Sequence, residues 1–193
     1  MRPLPYPVIL ASASPRRSDL LKPLIPEFRV IPADVDEDGL TDSDPWITAR
    51  KLAREKALAV FEAHPDSLVI GGDTVVAYQN GDAWVQLAKP ADEDDAFRML
   101  SILSGRTHTV ITGICLKWPK GFSSFIDESK VTFAKMSDEQ IRAYIATGEP
   151  MDKAGAYGLQ GGARPFITQV EGFVSTVIGL PTERLSDALR DVD

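Results

Sequence analysis

Apolar positions fall into short blocks along this chain, separated by polar, glycine-rich and proline-rich breaks. Val8–Ala11 is a continuous apolar run, which predicts a short strand buried on both faces. Ser14 followed by Pro15 supplies a capping side chain and a first-turn proline. A helix is therefore predicted over Pro15–Leu21, ended by Lys22 and Pro23. Phe28–Ile31 reads as a second strand. From Trp46 to about Ala63, residues Trp46, Ala49, Ala53, Ala57 and Val60 recur at three- and four-residue spacing, the period of a helix with one buried stripe. SLVIGG (67–72) predicts a strand, VVAYQ (75–79) continues extended beyond Asp73, and Asn80-Gly81 signals a hairpin into AWVQL (83–87). Asp92–Leu103 predicts a helix closed by Ser104-Gly105. THTVITGICLKW (107–118) and SKVTFAKM (129–136) have the β-branched content of long strands. The remaining expectations are a helix from about Ser137 to Ala146, a glycine-rich loop over Lys153–Ala163, a last strand at Phe173–Ile178 and a closing helix over Thr182–Val192. Strands and helices intermix without strict alternation, so a mixed sheet with helices is expected, α/β or α+β.

Composition narrows the class. The 193 residues are 44% hydrophobic and 25% charged, ordinary for a soluble globular protein. No apolar run approaches the roughly 20 residues of a membrane span. MRPLPYPVILAS carries one Arg and a very short apolar run broken by prolines, and does not read as a cleavable signal. The single cysteine, Cys115, rules out an intrachain disulfide and a cysteine metal cage, and fits a reducing cytoplasm. The net charge of −7 argues against coating a nucleic acid, because phosphate backbones select basic surfaces. An anionic ligand therefore requires positive charge concentrated in a pocket.

Five stretches concentrate such chemistry. In SPRR, Arg16 and Arg17 occupy the first helical turn, where the dipole disfavours cations and an anion would be welcome. Guanidinium forks match phosphate geometry, and the small Ser12 and Ala13 leave the backbone accessible. The alternative is an exposed helix end with two solvated arginines. Asp73, in GGDTVV, falls just after an apolar strand and can bind a divalent metal, accept a proton from water, or simply cap a turn. Lys56 lies within the arc of the apolar stripe, between Ala49 and Leu52, and either snorkels to the rim or reaches into a pocket. Lys89 precedes Pro90, which restrains it to an extended conformation. DKAGAYGLQGGA (152–163) has too many glycines for a helix or central strand. It lets the backbone approach a ligand, Gln160 can pair with a base edge, and Lys153 adds charge. Conversely, there is no Walker-type phosphate loop, no H-E-x-x-H and no G-x-S-x-G. Of the two histidines, His64 is expected to be exposed and His108 structural.

Together these segments resemble the Maf family of nucleoside triphosphate pyrophosphatases. The matches are LASASPRRSDLL (10–21), DVDED (34–38), ARKLAREKA (49–57), IGGDTVV (70–76), KPADEDDAFRMLSILSGRTHTVITG (89–113), GEPMDKAGAYGLQGGA (148–163) and GLP (179–181), in family order. The resemblance implies one Maf-like domain over 1–193, with an elongated mixed sheet in two lobes around a cleft, like the inosine triphosphatase group. It implies cleavage of a nucleoside triphosphate to monophosphate and pyrophosphate with Mg²⁺ or Mn²⁺. The DKAGAYGLQG loop is similar to the branch acting on dTTP and UTP, whereas the sister branch acting on 7-methyl-GTP typically has a cysteine before AGS. By motif match Asp73 would be the proton acceptor. Arg16, Thr74 and Gln160 would bear on substrate choice, and Ser12, Arg17, Lys56 and Lys89 would be phosphate contacts. Lys153 would join the substrate site, and Glu37, with Asp73, the metal shell. The implied partner is a small-molecule triphosphate rather than nucleic acid or membrane. The implied location is the cytoplasm, with a homodimer by analogy. The within-class alternatives are 7-methyl-GTP and modified pyrimidine triphosphates, and a non-catalytic nucleotide-sensing or septum-linked role is the rival from another class. Departures from the family pattern are Gly72 for a common Ala, Ala88 for a frequent Gly, ARPFI after the glycine pair, and STVIGLP for an Asn-Val form.

Overall fold

The computed structural model describes residues 3–193. The reading of the N-terminus as not a signal rests in part on Met1 and Arg2, which lie outside the described residues. In chain order the elements are β1 (Val8–Ala11), α1 (Pro15–Leu21), β2 (Arg29–Val30), α2 (Glu37–Leu40), α3 (Pro45–Ala63), β3 (Leu68–Asn80) and β4 (Ala83–Leu87). They continue with α4 (Glu93–Leu103), β5 (Thr107–Trp118), β6 (Gly121–Phe133), α5 (Asp138–Ile145), β7 (Ile167–Glu171), α6 (Val174–Ile178) and α7 (Thr182–Ala188). The fold is mixed α/β, as expected: one seven-stranded sheet in the order β2-β1-β3-β5-β6-β7, with β4 also paired to β3.

β3 organises the molecule. One edge pairs antiparallel with β5 from Val69 to Ala77. The other edge changes partner. It runs parallel to β1 as far as Gly71 opposite Ala11, and antiparallel to β4 from Val76 opposite Leu87. Between those points, from Gly72 to Val75, no described strand covers that edge. Because side chains alternate along a strand, Asp73 faces one side of the sheet here and Thr74 the other.

The two faces carry different helices. On one, α3 lies against β1, β3 and β5, with Ala53 and Ala57 packed among Ile9, Ala11, Val69 and Cys115. The approach is unusually close. A β-carbon on Gly71 would collide with the Ala53 carbonyl and lie 2.7 Å from the Ala57 nitrogen, and one on Gly113 would collide with the Ala49 carbonyl. The alanine stripe and these two glycines are the two halves of one contact. The other face holds two apolar clusters. One gathers β1, α1 and α7 around Leu10, Leu21, Ile70 and Leu185. The second gathers α4, α5 and the glycine-rich segment around Leu100, Phe133, Ile141 and Tyr157.

Two expectations about the strands are corrected, and two irregular segments hold short helical turns. Asp73 does not follow a strand; it sits inside the thirteen-residue β3, which runs through the GGDT interruption because β5 pairs with it throughout. Phe173–Ile178 is not the last strand. Gly172, at φ +107°, turns the chain off the sheet, and Val174–Ile178 forms a helix despite its β-branched content. The last strand is Ile167–Glu171, paired with β6. The acidic stretch after Asp34 contains the short helix α2, capped by Asp36, and within the glycine-rich segment Ala154–Ala156 forms a 3-10 turn, with further 3-10 turns just outside it at Glu149–Asp152 and Arg164–Phe166. Among the described residues, no helix is long and apolar enough to cross a membrane.

Candidate active site

A cleft of about 1060 Å³ opens where β1 has ended and β4 has not begun. It is bordered by the start of α1, by Glu37, Lys56, Asp73 and Thr74, by Lys89, and by the glycine-rich segment including Gln160. The uncovered edge of β3 lets one cavity reach both Asp73 and Thr74, although they face opposite sides of the sheet.

Asp73 and Lys56 form the buried centre. The Lys56 ammonium lies 2.7 Å from Asp73 Oδ1 and 2.6 Å from Glu37 Oε1. The Lys56 and Asp73 side chains are 11% and 12% exposed, whereas Glu37 is half exposed. The tight α3 contact delivers this lysine: Lys56 precedes Ala57, whose nitrogen and methyl lie against Gly71, two residues before Asp73 on the same face. Burial pushes the Asp73 carboxyl above its ordinary range, opposed by the charges of Lys56 and Arg17. Burial acts on Glu37 in the same sense, but the hydrogen bond and charge of Lys56 outweigh it and hold that carboxyl low.

Arg17 is held as a fixed fork. Its Nε donates to the Gly179 carbonyl at 2.8 Å, Nη1 to Ser12 Oγ at 3.0 Å and Nη2 to Thr74 Oγ1 at 2.9 Å. Thr112 Oγ1 donates to the Thr176 carbonyl at 2.8 Å, so in the 3.0 Å contact between the two threonines the Thr74 hydroxyl is the donor. Thr176 in turn donates to Asp127. Three of the five guanidinium N–H groups are thereby committed to the scaffold, which leaves two. Burial lowers the pKa of this guanidinium, opposed by Asp73 and reinforced by Arg16.

Arg16 is more exposed and lies 3.6 Å from Asp152 Oδ2. Asp152 also accepts from Lys153 Nζ at 2.6 Å, and Lys153 donates again to the Glu149 carbonyl at 2.7 Å. Lys153 and Arg16 hold Asp152 below the ordinary carboxyl range against its partial burial. Lys89 and Gln160 border the cleft as exposed side chains. The Gly155 N–H donates to the Ala88 carbonyl at 3.1 Å, tying the glycine-rich segment to the residue before Lys89.

The profile of the family described as Maf-like protein matches residues 7–192. The chain belongs to the Maf-like family. It is 50% identical over 183 residues to a dTTP/UTP pyrophosphatase of Koribacter versatilis, covering 95% of this chain and 93% of that one. It is 46% identical over 186 residues to a dTTP/UTP pyrophosphatase of Aquifex aeolicus, covering 96% and 95%. Among solved structures, a HAM1 protein from Coxiella burnetii is 15% identical, with a TM-score of 0.49 over 96% of this chain and 99% of that one.

The residues singled out from the Maf-like motifs converge on this cleft: Ser12, Arg16, Arg17, Glu37, Lys56, Asp73, Thr74, Lys89, Lys153 and Gln160 all border it. His108 is structural as expected, buried with Nε2 2.7 Å from the Tyr157 hydroxyl, while His64 is half-buried rather than exposed. Sequence reasoning did not single out Thr112, Tyr144, Glu149 or Asp152. The first three are neutral or isolated in the polar pattern. For Tyr144 and Glu149 the signal lay in the glycines that press against them, Gly158, Gly161 and Gly162, because a run of glycines marks a surface where something packs without room for a β-carbon.

Proposed function

We propose that the chain, as one domain over 1–193, hydrolyses dTTP and UTP to the monophosphate and pyrophosphate in this cleft. The observation that carries the reading is the buried Asp73–Lys56 pair facing the same cavity as Arg16 and Arg17, in a chain half identical to a protein named dTTP/UTP pyrophosphatase. Arg16, the two uncommitted Arg17 N–H groups, Lys89 and Lys153 neutralise the phosphate chain and stabilise the departing pyrophosphate. Asp73, buried and facing the cavity beside Lys56, is placed to act as the base. It takes the proton of the water whose oxygen attacks the α-phosphorus as the bond to the pyrophosphate oxygen breaks. Lys56 orients that carboxylate. Gln160 meets the imide edge shared by uracil and thymine.

The donor set fits a hard divalent cation. Asp73 and Glu37 converge on one ammonium at the cleft, two carboxylates close enough together to share a cation. That is the pattern for Mg²⁺ or Mn²⁺ bound by one or two carboxylates plus phosphate oxygens. Asp73 and Glu37 would hold it, and when bound it would supply charge neutralisation at the phosphates.

The test is pyrophosphate release from a panel of dTTP, UTP, CTP, ATP and 7-methyl-GTP, with and without EDTA. The expected result is turnover of dTTP and UTP that EDTA abolishes. Asp73→Asn is expected to lower kcat by at least about 10²-fold while nucleotide still binds in calorimetry. Preference for 7-methyl-GTP would move the chain to the sister specificity. Tight binding without turnover of any triphosphate would make it a nucleotide sensor.

A further inference from the structure

We propose that Glu149 and Tyr144 act as a clasp that sets the Gly158–Gly162 turn, and with it Gln160, so that both are positioning residues for base selection. The proposal rests on the nucleotide reading above and concerns how that site chooses its substrate.

The clasp is a closed set of hydrogen bonds. Glu149 Oε1 accepts from the Tyr144 hydroxyl at 2.9 Å, and Oε2 accepts from the Gly162 N–H at 2.9 Å. The Tyr144 hydroxyl accepts in turn from the Gly158 N–H at 3.1 Å. Both ends of the turn therefore hang on one pair of side chains, and the Gly161 N–H closes it internally on the Gly158 carbonyl at 3.2 Å. Tyr144 is 4% exposed and anchored in the core beside Ile141 and Phe133, so the pair ties the turn to α5 and the sheet.

The glycines fit this clasp. A β-carbon on Gly161 would overlap the Glu149 carboxylate, one on Gly162 would lie 2.9 Å from the Tyr144 ring, and one on Gly158 would lie 2.8 Å from Lys153 Cε and 3.1 Å from Glu149 Oε1. They are close-approach positions rather than a flexible tether. Gln160, between the anchored ends, is exposed to the cleft, and its amide hydrogen-bonds to no described residue. Fixing the backbone fixes where this amide is delivered, so that its carbonyl and N–H can both meet an imide edge, which offers a donor beside its acceptors. A turn that moves delivers the amide less squarely, which weakens that pairing and the discrimination it gives against cytosine.

Arg17, Lys56 and Asp73 are held by α1, α3 and β3, and none of the clasp's hydrogen bonds reaches those elements. Loosening the turn leaves the chemical step in place. It makes bound nucleotide order the turn, which raises KM and weakens discrimination.

The experiment compares wild type with Tyr144→Phe, Glu149→Gln, Glu149→Ala and the Tyr144→Phe/Glu149→Ala double variant, using steady-state kinetics on dTTP, UTP and CTP. Tyr144→Phe removes one hydroxyl and keeps the core ring, which guards against loss of folding. The expected result is a KM for dTTP and UTP raised about tenfold, kcat within about twofold, and preference over CTP narrowed by a similar factor. Glu149→Gln, which keeps an acceptor for Gly162, recovers much of the loss in Glu149→Ala. The double variant is no worse than the more severe single one, because both residues act through one network. Unchanged KM and unchanged preference in folded variants overturn the clasp alone. A fall in kcat on all three substrates with KM fixed also overturns it, since that is the mark of general structural damage. A wild type that turns over none of the pyrimidine triphosphates overturns the nucleotide reading and the clasp with it.

Discussion

His108 is 2% exposed, edge-on to Phe133 and Tyr157, and its Nδ1 has no hydrogen-bond partner. Burial drives its pKa down from 6.5 to about 3. The unfolded chain takes up a proton below about pH 6.5, whereas the folded one resists it until about pH 3, so the unfolded state binds more protons between these limits. The contribution is fully present above pH 6.5 and is lost on acidification, by up to about 1.4 kcal/mol per pH unit. His108→Gln is expected to be less stable at pH 7.5 yet to lose stability more gently between pH 6 and pH 4. Urea midpoints across that range measure it, and the gap to wild type should narrow as pH falls. At the same scale, Lys56 was half legible in the sequence: a charge inside an alanine stripe stands out, but whether it snorkels to the rim or reaches into a pocket is decided by the Gly71 contact that seats the helix. Glu149 was not, since a glutamate before a proline looks like any loop acid until the backbone N–H groups it holds are seen.

The decisive element-level contact is α3 on β3 and β5. Ala49, Ala53 and Ala57 give the helix a smooth face, and Gly71 and Gly113 remove the side chains that would hold it off. Gly71→Ala forces a methyl into the Ala53 carbonyl, so overpacking is expected to cost about 1–3 kcal/mol or more. It should also lower kcat, because Lys56 rides on the displaced helix. Thermal unfolding and turnover should fall together, while Gly81→Ala, at an open hairpin tip, should affect turnover little. The stripe of α3 could be read from its period. The continuity of β3 through GGDT could not, because it depends on β5, some forty residues later, supplying hydrogen bonds across the interruption. Val174–Ile178 was misread for a related reason. Its β-branched residues favour a strand, but Thr176 is fully buried, spends its hydroxyl on Asp127, and offers its carbonyl to Thr112. Tertiary contacts outweigh a local preference of this size.

At the scale of the molecule, a chain of net charge −7 gathers Arg16, Arg17, Lys56, Lys89 and Lys153 around one cavity. The cavity spans the uncovered edge of β3, with the start of α1 on one side and the glycine-rich segment on the other. Arg16 belongs to the first side and Asp152 to the second, and their contact spans the gap. On the proposed reading a polyphosphate would enter as a rival anion, competing with the tethered Asp152 carboxylate that lies against Arg16 and Lys153. Asp152→Asn should lower KM for the triphosphate by about twofold to fivefold, the worth of an exposed ion pair, measured at low ionic strength. Product departure would then be helped by the returning aspartate, so the variant that binds substrate more firmly should also let pyrophosphate go more slowly.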